Sequence, residues 1–201
     1  MCIRDRKYEE AFEESDRYLR ESESKANALR VVGKLVSNRG YALVFCDLNA
    51  TCMNVQAILE GQGAQTMILN QAVDQLERER AFIKFERGNI NALIAPKVLD
   101  EGVDIKLASL GVFAGTSRRR LQTIQRLGRV LRIHEEKAKP LIVLPVSVGT
   151  EEDPRLPDNH NLQLSVYAEV FSQKERYGCF NVTDQTNIDM FISETLTSAS
   201  T

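Results

Sequence analysis

The sequence lacks the marks of membrane-spanning, secreted and zinc-binding proteins. No apolar run approaches the roughly 18 residues that would suggest a membrane span. No apolar signal region follows the charged start at residues 1–7, so we expect no secretory leader and a cytoplasmic location. The chain has no Cys-x-x-Cys pair, and its thiol and imidazole side chains are Cys2, Cys46, Cys52, Cys179, His134 and His160. We therefore expect no metal site, and interpret the cysteines as buried or idle free thiols in a reducing compartment.

Two glycine-rich nucleotide-binding motifs are also absent. The sequence contains no Gly-x-x-x-x-Gly-Lys-Ser/Thr phosphate loop, and Gly33-Lys34-Leu35 lies within a predicted helix and lacks every other element of that motif. No Gly-x-Gly-x-x-Gly follows the first predicted strand, which disfavours a dinucleotide-binding Rossmann domain. The sequence therefore offers neither of these loops for binding nucleotide phosphates.

The composition permits a folded core and hides an uneven distribution of charge. Of the 201 residues, 43% are apolar and 27% are charged, which allows one large domain or one domain with an appendage. Residues 115–150 hold eight Lys/Arg against two Asp/Glu, a net +6, and residues 151–201 hold three against nine, a net −6. The local positive charge indicates a nucleic-acid or nucleotide partner. The acidic tail is either solvated or lies against a basic surface.

Short apolar runs alternate with amphipathic helices along most of the chain. The predicted strands are residues 41–46, 65–69, 91–95, 109–114 and 140–146. The predicted helices are residues 7–20, 25–37, 50–60, 74–86 and 117–133, with a short helical turn at 97–101. Asp47 and Asn49 would cap the helix at 50–60, Gly61 and Gly63 would end it, and Asp74 would cap the helix at 74–86.

This alternation predicts an α/β fold, a parallel, doubly wound sheet with flanking helices. The helices at 50–60 and 74–86 should cover opposite or adjacent faces of that sheet. Ligands of such sheets bind at the carboxyl ends of the strands.

The regular pattern weakens after Pro145. Residues 149–161 read as an acidic loop, residues 162–171 allow one more helix, and from Thr183 the chain reads as a polar end that frays. We divide the chain into an N-terminal helical extension or linker at 1–24, a main domain at 25–152 and an acidic, partly helical extension at 153–201. Residues 1–6 have the character of a non-native leader.

A row of basic and amide side chains defines the helix at 117–133. At about 100° per residue, five of them fall within about 80° of one another: Arg118, Gln122, Gln125, Arg129 and Arg132. An apolar arc runs beside them through Leu121, Ile124 and Leu131. Gly128 lies at the border, where the missing side chain would let another backbone or a ligand approach. Guanidinium groups suit phosphate because they stay charged and donate paired hydrogen bonds, while the alternative is a solvated basic face.

A second candidate stretch follows the predicted strand at 91–95. It contains Gly102-Val103-Asp104, in which the Gly would let backbone approach a ligand and the Asp could accept hydrogen bonds from a ribose hydroxyl. Taken alone, Gly-Val-Asp is a common turn. Its position about twenty residues before Gln125 favours a functional role over a simple turn.

Gln125-x-x-Gly128-Arg129-x-x-Arg132 resembles motif VI of the superfamily 2 helicases. Residues 96–104 resemble motif V and residues 41–46 motif IV, in the same order and spacing. The resemblance covers about residues 25–152 and implies the C-terminal RecA-like lobe of such a helicase. Gln at the head of motif VI is similar to the xeroderma-pigmentosum-B and restriction-enzyme type of DNA translocase, whereas DEAD-box RNA helicases begin this motif with His. The resemblance thus implies DNA rather than RNA as the partner.

The resemblance also implies an ATP site in a cleft between this lobe and an N-terminal RecA-like lobe, in the same protein or a separate chain. Arg132 would be the arginine finger on the γ-phosphate. Arg129 would be its partner at the phosphates or a brace for the loop, and Gln125 would couple the nucleotide to the cleft. Asp104 and Gly102 would line the ribose side of the ATP site, and Gly128 would also belong to the ATP-binding surface.

Two further expectations concern the metal ion and the nucleic acid. Mg²⁺ would be held by the N-terminal lobe, because Asp100-Glu101 belongs to motif V and does not follow an apolar strand as a magnesium-binding Asp-Glu box does. Pro96 stands where the family has a Thr or Ser that contacts the nucleic-acid backbone, and Lys97 would compensate electrostatically.

The expected function is therefore the C-terminal lobe of an ATP-dependent nucleic-acid helicase or translocase, inactive in ATP hydrolysis on its own. The alternative is a non-catalytic nucleic-acid-binding or regulatory module with a RecA-like fold. The Pro96 departure and the missing phosphate-loop lobe favour this alternative, and the intact spacing from Gln125 to Arg132 disfavours it.

Overall fold

A computed structural model of the chain describes residues 23–96, 105–115, 120–130, 139–147 and 180–197. Its strands are β1 (Ala42–Phe45), β2 (Thr66–Ile68), β3 (Ala92–Ala95), β4 (Leu110–Phe113) and β5 (Leu141–Val143). Its helices are α1 (Glu23–Arg39), α2 (Asn49–Glu60), α3 (Gln75–Glu86), α4 (Arg120–Val130) and α5 (Gln185–Thr197). All five predicted strands are present, each slightly shorter than the sequence suggested.

The strands form one parallel sheet in the order β2-β3-β1-β4-β5. β1 lies at its centre, with Ala42 paired to Ala92 of β3 on one side and to Leu110 of β4 on the other. The outer pairings, β2 with β3 and β4 with β5, are parallel as well. The predicted parallel α/β architecture is therefore confirmed.

The two faces of the sheet are covered by different helices, because successive strand residues point to opposite sides. Ala42 and Val44 of β1 share a core with apolar side chains of α1 and α2, namely Leu29, Val32, Val36, Cys52, Val55 and Leu59. Leu43 and Phe45 share the opposite core with side chains of α3 and α4, namely Ala81, Phe85 and Val130. Helices α2 and α3 thus cover opposite faces, as the sequence predicts.

A glycine in β4 lets α4 approach the sheet closely. A Cβ atom placed on Gly111 would lie 2.8 Å from Cδ1 of Ile142 and 3.0 Å from Cγ2 of Val130. Both distances are shorter than an ordinary contact between carbon atoms. The last residue of α4 is therefore seated directly over β4, which fixes the height of that helix above the sheet.

The predicted end signals of the helices are only partly correct. Asp74 caps α3 as expected, since its Oδ1 accepts a hydrogen bond of 2.8 Å from the backbone N–H of Glu77. The predicted cap of α2 by Asp47 or Asn49 is wrong. Leu48 occupies that position with an extended backbone and makes no side-chain capping bond. At the other end of α2, the C-cap residue Gly61 stays right-handed, with φ −61°.

The far end of the described chain differs from the sequence prediction. Residues 185–197, expected to be polar and frayed, form α5. Ile188, Phe191 and Ile192 make a short apolar stripe at helical spacing, and Phe191 packs on Phe180 with ring centroids 5.1 Å apart. The predicted helices at 7–20 and 162–171 and the turn at 97–101 lie outside the described residues. Among the helices that are described, none is long and apolar enough to cross a membrane.

The two cap positions give a paired test of local stability. Asp74→Ala should lower the free energy of unfolding by about 1 kcal/mol, because the N–H of Glu77 loses its partner. Leu48→Asp should raise it by up to about 1 kcal/mol, because α2 lacks a capping side chain. Urea unfolding of both variants and the parent measures these changes. Equal effects of the same sign at the two positions would contradict the cap assignments.

Candidate functional site

The carboxyl ends of three neighbouring strands lie side by side at one edge of the sheet. Cys46 and Asp47 follow β1, Pro96 follows β3, and Ala114 and Gly115 follow β4. The backbone N–H of Cys46 donates to the carbonyl oxygen of Ala95 at 2.9 Å, and that of Ala114 donates to Phe45 at 2.9 Å. These bonds hold the three strand ends together. We name this region the carboxyl edge, the part of a parallel sheet where ligands bind.

Arg126 of α4 lies beneath the carboxyl edge and is almost completely buried, with 2% of its side chain exposed. Its Nη2 donates a hydrogen bond of 3.2 Å to the carbonyl oxygen of Cys46. Its Nη1 lies 4.0 Å from Oδ1 of Asp47, a distance at which the attraction is Coulombic. The guanidinium carbon stands 5.4 Å from the centre of the Phe45 ring. Arg126 therefore links α4 to the end of β1 by three kinds of contact.

The basic row and the apolar arc predicted for this helix both leave out Arg126, although the sequence carries a signal for it. Arg126 and Val130 are four residues apart, which places them on the same face of the helix, and Val130 is fully buried. The predicted apolar arc instead ran through Ile124, and this prediction is wrong, since Ile124 is 41% exposed. The buried face of α4 thus includes a charged side chain that hydrophobic periodicity passes over.

Asp47 turns toward Arg126 and is seated on Gly115. Its side chain is 17% exposed, so it is shielded from water without being sealed off. A Cβ atom on Gly115 would lie 2.6 Å from Oδ2 and 2.9 Å from the backbone nitrogen of Asp47. The carboxylate predicted to cap α2 instead balances a buried cation, because an unpaired charge inside a protein costs far more than an unmade cap.

The outward side of α4 carries three of the predicted site residues. Gln125 and Gly128 are exposed and Arg129 is half-buried, and their spacing places them next to one another on the helix surface. A Cβ atom on Gly128 would meet nothing within 4 Å. Among the described residues, the space beside Gly128 is therefore open.

The remaining residues singled out from the sequence are divided between the described and the undescribed parts of the chain. Arg132, Gly102, Asp104, Lys97 and Arg118 lie outside the described residues. Pro96 is described and lies half-buried at the end of β3. The described residues therefore include the start of the motif V stretch, at the carboxyl edge, and the first part of motif VI, in α4.

Two free thiols are buried, as the composition suggested. Cys46 directly follows β1 at the carboxyl edge, and Cys52 lies in α2. The hydrogen-bond contact with Cys52 and the burial of the site raise the pKa of the Cys46 thiol. Cys46 is therefore a neutral, unreactive side chain that contributes to packing.

A protein-family model described as "Helicase conserved C-terminal domain" matches residues 24–134, more than half of the chain. The chain belongs to this helicase family. The matched region contains every residue assigned to motifs IV, V and VI. The predicted resemblance to the C-terminal lobe of superfamily 2 helicases, most like the xeroderma-pigmentosum-B type, is confirmed.

Curated relatives include both DNA- and RNA-directed helicases. The chain is 35% identical over 85 residues to a protein named DNA 3'-5' translocase XPB2 of Sulfurisphaera tokodaii, covering 42% of this chain and 19% of that one. It is 29% identical over 119 residues to a probable ATP-dependent RNA helicase, ddx42, of Dictyostelium discoideum, covering 59% and 12%. The matched part spans only 12% to 24% of the length of these curated relatives.

Solved structures support the fold of this helicase lobe. The C-terminal domain of the DEAD-box protein Dbp5 gives a TM-score of 0.66 at 19% identity, over 88% of this chain and 93% of that domain. The longer Dbp5 of S. cerevisiae bound to RNA and ADP BeF3 gives 0.64 at 22% identity, over 86% of this chain and 43% of that one. The chain therefore corresponds in fold to one part of a longer helicase structure.

Replacement by alanine should have opposite effects on stability at Gly128, within α4, and at Gly111, in the strand beneath it. Gly128→Ala should raise the free energy of unfolding by about 0.5–1 kcal/mol, because Ala favours a helix and the space is open. Gly111→Ala should lower it by about 1–3 kcal/mol, because the new Cβ crowds Val130 and Ile142. Chemical denaturation of this chain measures both. A loss at Gly128 would show that another part of the chain covers that face.

Proposed function

We propose that this chain is the C-terminal lobe of an ATP-dependent helicase or translocase, and that it supplies an arginine finger and part of the nucleic-acid groove. The observation that supports this most directly is the surface of α4 in a chain of the helicase C-terminal family. Gln125, Gly128 and Arg129 lie together on its open side. The activity of the whole protein is part of the proposal, because the curated relatives are several times longer than the matched region.

The residues on this surface fit one side of a bound ATP. Gln125 offers an exposed amide, and one turn along the helix Arg129 offers a guanidinium that can bind phosphate oxygens. Arg132 comes three residues after Arg129 in the sequence and is assigned to the γ-phosphate, where it would stabilise the charge that develops during phosphoryl transfer. Gly102 and Asp104 contact the ribose side. Gly128 lets the nucleotide or the facing lobe approach the helix.

This lobe supplies only half of the ATP site. The sequence has no phosphate loop and no magnesium-binding Asp-Glu box, and the Asp47 carboxylate is engaged with Arg126. We therefore assign Mg²⁺ and the grip on the phosphates to an N-terminal RecA-like lobe, in the same protein or a separate chain. ATP would bind in the cleft between the two lobes. Closing and opening of that cleft would move the lobes along a nucleic-acid strand.

We assign the nucleic acid as DNA. Gln125 begins motif VI, as in the xeroderma-pigmentosum-B type, and relatives with names of that type support this choice. Lys97, next to Pro96, would provide the charge for a phosphate contact that has no hydroxyl at position 96. A cytoplasmic location is part of the same proposal.

A second candidate function is a nucleic-acid-binding or regulatory module that keeps the fold without catalysis. Pro96, at the place of the hydroxyl residue, is the observation that favours it. The two functions differ in one respect that can be measured. Only the helicase lobe should restore ATP hydrolysis when it is combined with an N-terminal lobe that carries a phosphate loop.

The arginine-finger assignment predicts a large effect of a single substitution. In the two-lobe assembly, meaning this chain combined with the N-terminal RecA-like lobe, Arg132→Ala should lower the turnover number by about 10³–10⁵-fold. The affinity for ATP should change far less, because the finger acts on charge that develops in the transition state. Arg132→Lys should restore little, because an ammonium group does not reproduce the paired geometry. Steady-state ATPase kinetics measure all three, and this chain alone should be inactive.

The matched control for this experiment is Arg118→Ala, in the same basic row but outside the motif. It should leave the turnover number nearly unchanged. An equal loss in the Arg118 and Arg132 variants would mean that the row acts as a diffuse basic face, and the finger assignment would be wrong.

Binding of nucleic acid by this lobe alone should be weak and dependent on salt. If the lobe contacts two phosphates, the affinity should fall about tenfold between about 50 and 200 mM salt, because each contact releases condensed counterions. Lys97→Ala should reduce this dependence, whereas Lys34→Ala, on the exposed side of α1, should not. Fluorescence titrations with labelled DNA and RNA of the same sequence measure the slopes. Tight binding that salt does not weaken would contradict a backbone-contacting half-groove.

A further inference from the structure

The burial of Arg126 is costly for a residue that only fills space. Its guanidinium is 2% exposed and lies among Phe45 and the apolar side chains of the α4-covered face. Taking a cation out of water costs more than packing an apolar side chain of similar volume, which often stabilises a protein equally well or better. A purely structural filler at this position therefore does not need a charge.

Arg126 contacts three groups at the end of β1. An apolar side chain could pack against the Phe45 ring, but it could not bond the Cys46 carbonyl oxygen or attract the Asp47 carboxylate. Arg126 donates to the carbonyl oxygen of Cys46 at 3.2 Å and attracts the Asp47 carboxylate at 4.0 Å. It also covers the ring of Phe45. The charge and the forked shape of the guanidinium thus connect α4 to the carboxyl edge at a defined place.

We propose that Arg126 is a positioning residue, and that with Asp47 as its counter-charge it sets the position of α4, and with it that of Gln125 and Arg129, relative to the carboxyl edge. The part of this inference that concerns ATP hydrolysis rests on the proposed function. The part that concerns the attachment of α4 does not.

The geometry of α4 explains how a buried contact controls an exposed surface. The helix is attached at two points one turn apart, by Val130 over Gly111 of β4 and by Arg126 at the end of β1. Gln125 and Arg129 each precede one of these anchors in the chain. Because a helical turn is rigid on this scale, loss of the Arg126 anchor would leave Val130 as a pivot about which Gln125 shifts.

Asp47 is the part of this arrangement that can be altered without emptying the core. Its carboxylate is partly exposed, and Asp47→Asn keeps its shape while removing the negative charge. Gly115→Ala provides a second change, because the new Cβ would lie 2.6 Å from Oδ2 and 2.9 Å from the backbone nitrogen of Asp47 and would push both the carboxylate and the chain at the end of β1 away. Both variants leave Arg126 in place, which avoids the risk that truncating a buried arginine prevents folding.

The first experiment measures hydrogen exchange of the backbone amides in the 201-residue chain. Asp47→Asn and Gly115→Ala should each raise exchange in α4 by about tenfold relative to the change in the strands of the sheet. A factor of about ten corresponds to about 1.4 kcal/mol of lost local stability. The control is Val55→Ala, which weakens the core on the opposite face without touching α4. Exchange is compared between variants at an equal loss of melting temperature. If Val55→Ala then raised exchange in α4 as much as the two test variants do, Arg126 and Asp47 would be ordinary packing and the proposal would be overturned.

The second experiment measures ATP hydrolysis by the two-lobe assembly. Asp47→Asn and Gly115→Ala should lower kcat about tenfold while KM for ATP changes less than about twofold, because Gln125 and Arg129 would be misplaced for the reaction rather than lost. Arg126→Lys should recover part of the rate lost in Arg126→Met, since it keeps the charge without the fork. Unchanged kcat in both Asp47→Asn and Gly115→Ala would overturn the positioning role. An inactive parent assembly would instead overturn the proposed function, and the exchange experiment would still decide the attachment of α4.

Discussion

The contact between a buried guanidinium and the end of the central strand is the interaction on which the candidate site depends. Arg126 bonds the carbonyl oxygen of Cys46 and faces the Asp47 carboxylate in a place where water has little access. Such a pair is sensitive to geometry, because each charge tolerates burial only while the other remains close. The orientation of α4 is therefore coupled to the conformation of the chain where β1 ends. The position of the exposed surface of α4 therefore depends on this buried contact.

Three glycines determine how closely other groups approach the same helix. Gly111 admits the end of α4 to the sheet, Gly115 makes room for Asp47, and Gly128 leaves the outer surface of the helix open. In the first two positions a Cβ atom would collide with atoms of the lobe itself, whereas at Gly128 it would meet only open space. Gly111 and Gly115 therefore serve the internal packing of the lobe. Gly128 has no such internal role among the described residues, and the proposed function assigns it to the approach of the nucleotide or the facing lobe.

A one-sided site is consistent with the parallel sheet that carries it. All described strands run the same way, so their carboxyl ends and the groups that follow them gather at one edge. The carboxylate at that edge, Asp47, is engaged with Arg126, while the amide of Gln125 and the guanidinium of Arg129 lie on the other side of α4. Such donors can stabilise negative charge that another surface binds and activates. Under the proposed function, ATP hydrolysis therefore requires a second lobe, and the position of α4 decides whether the donors meet the phosphate.

The sequence by itself determined the strand–helix alternation, because apolar runs and helical spacing depend only on neighbours along the chain, and this alternation predicted the parallel sheet. It also determined the resemblance of residues 125–132 to motif VI, which rests on residue types at a fixed spacing. It also determined the cap at Asp74, where donor and acceptor are three residues apart. Only the tertiary structure decided that Asp47 pairs with Arg126, that Ile124 is exposed, and that Gly115 supports a carboxylate. Asp47 and Arg126 are far apart in sequence, and helical periodicity shows which residues share a face but not what lies opposite them. The partners of a buried charge are set by how the strands and helices come together, which no local pattern encodes.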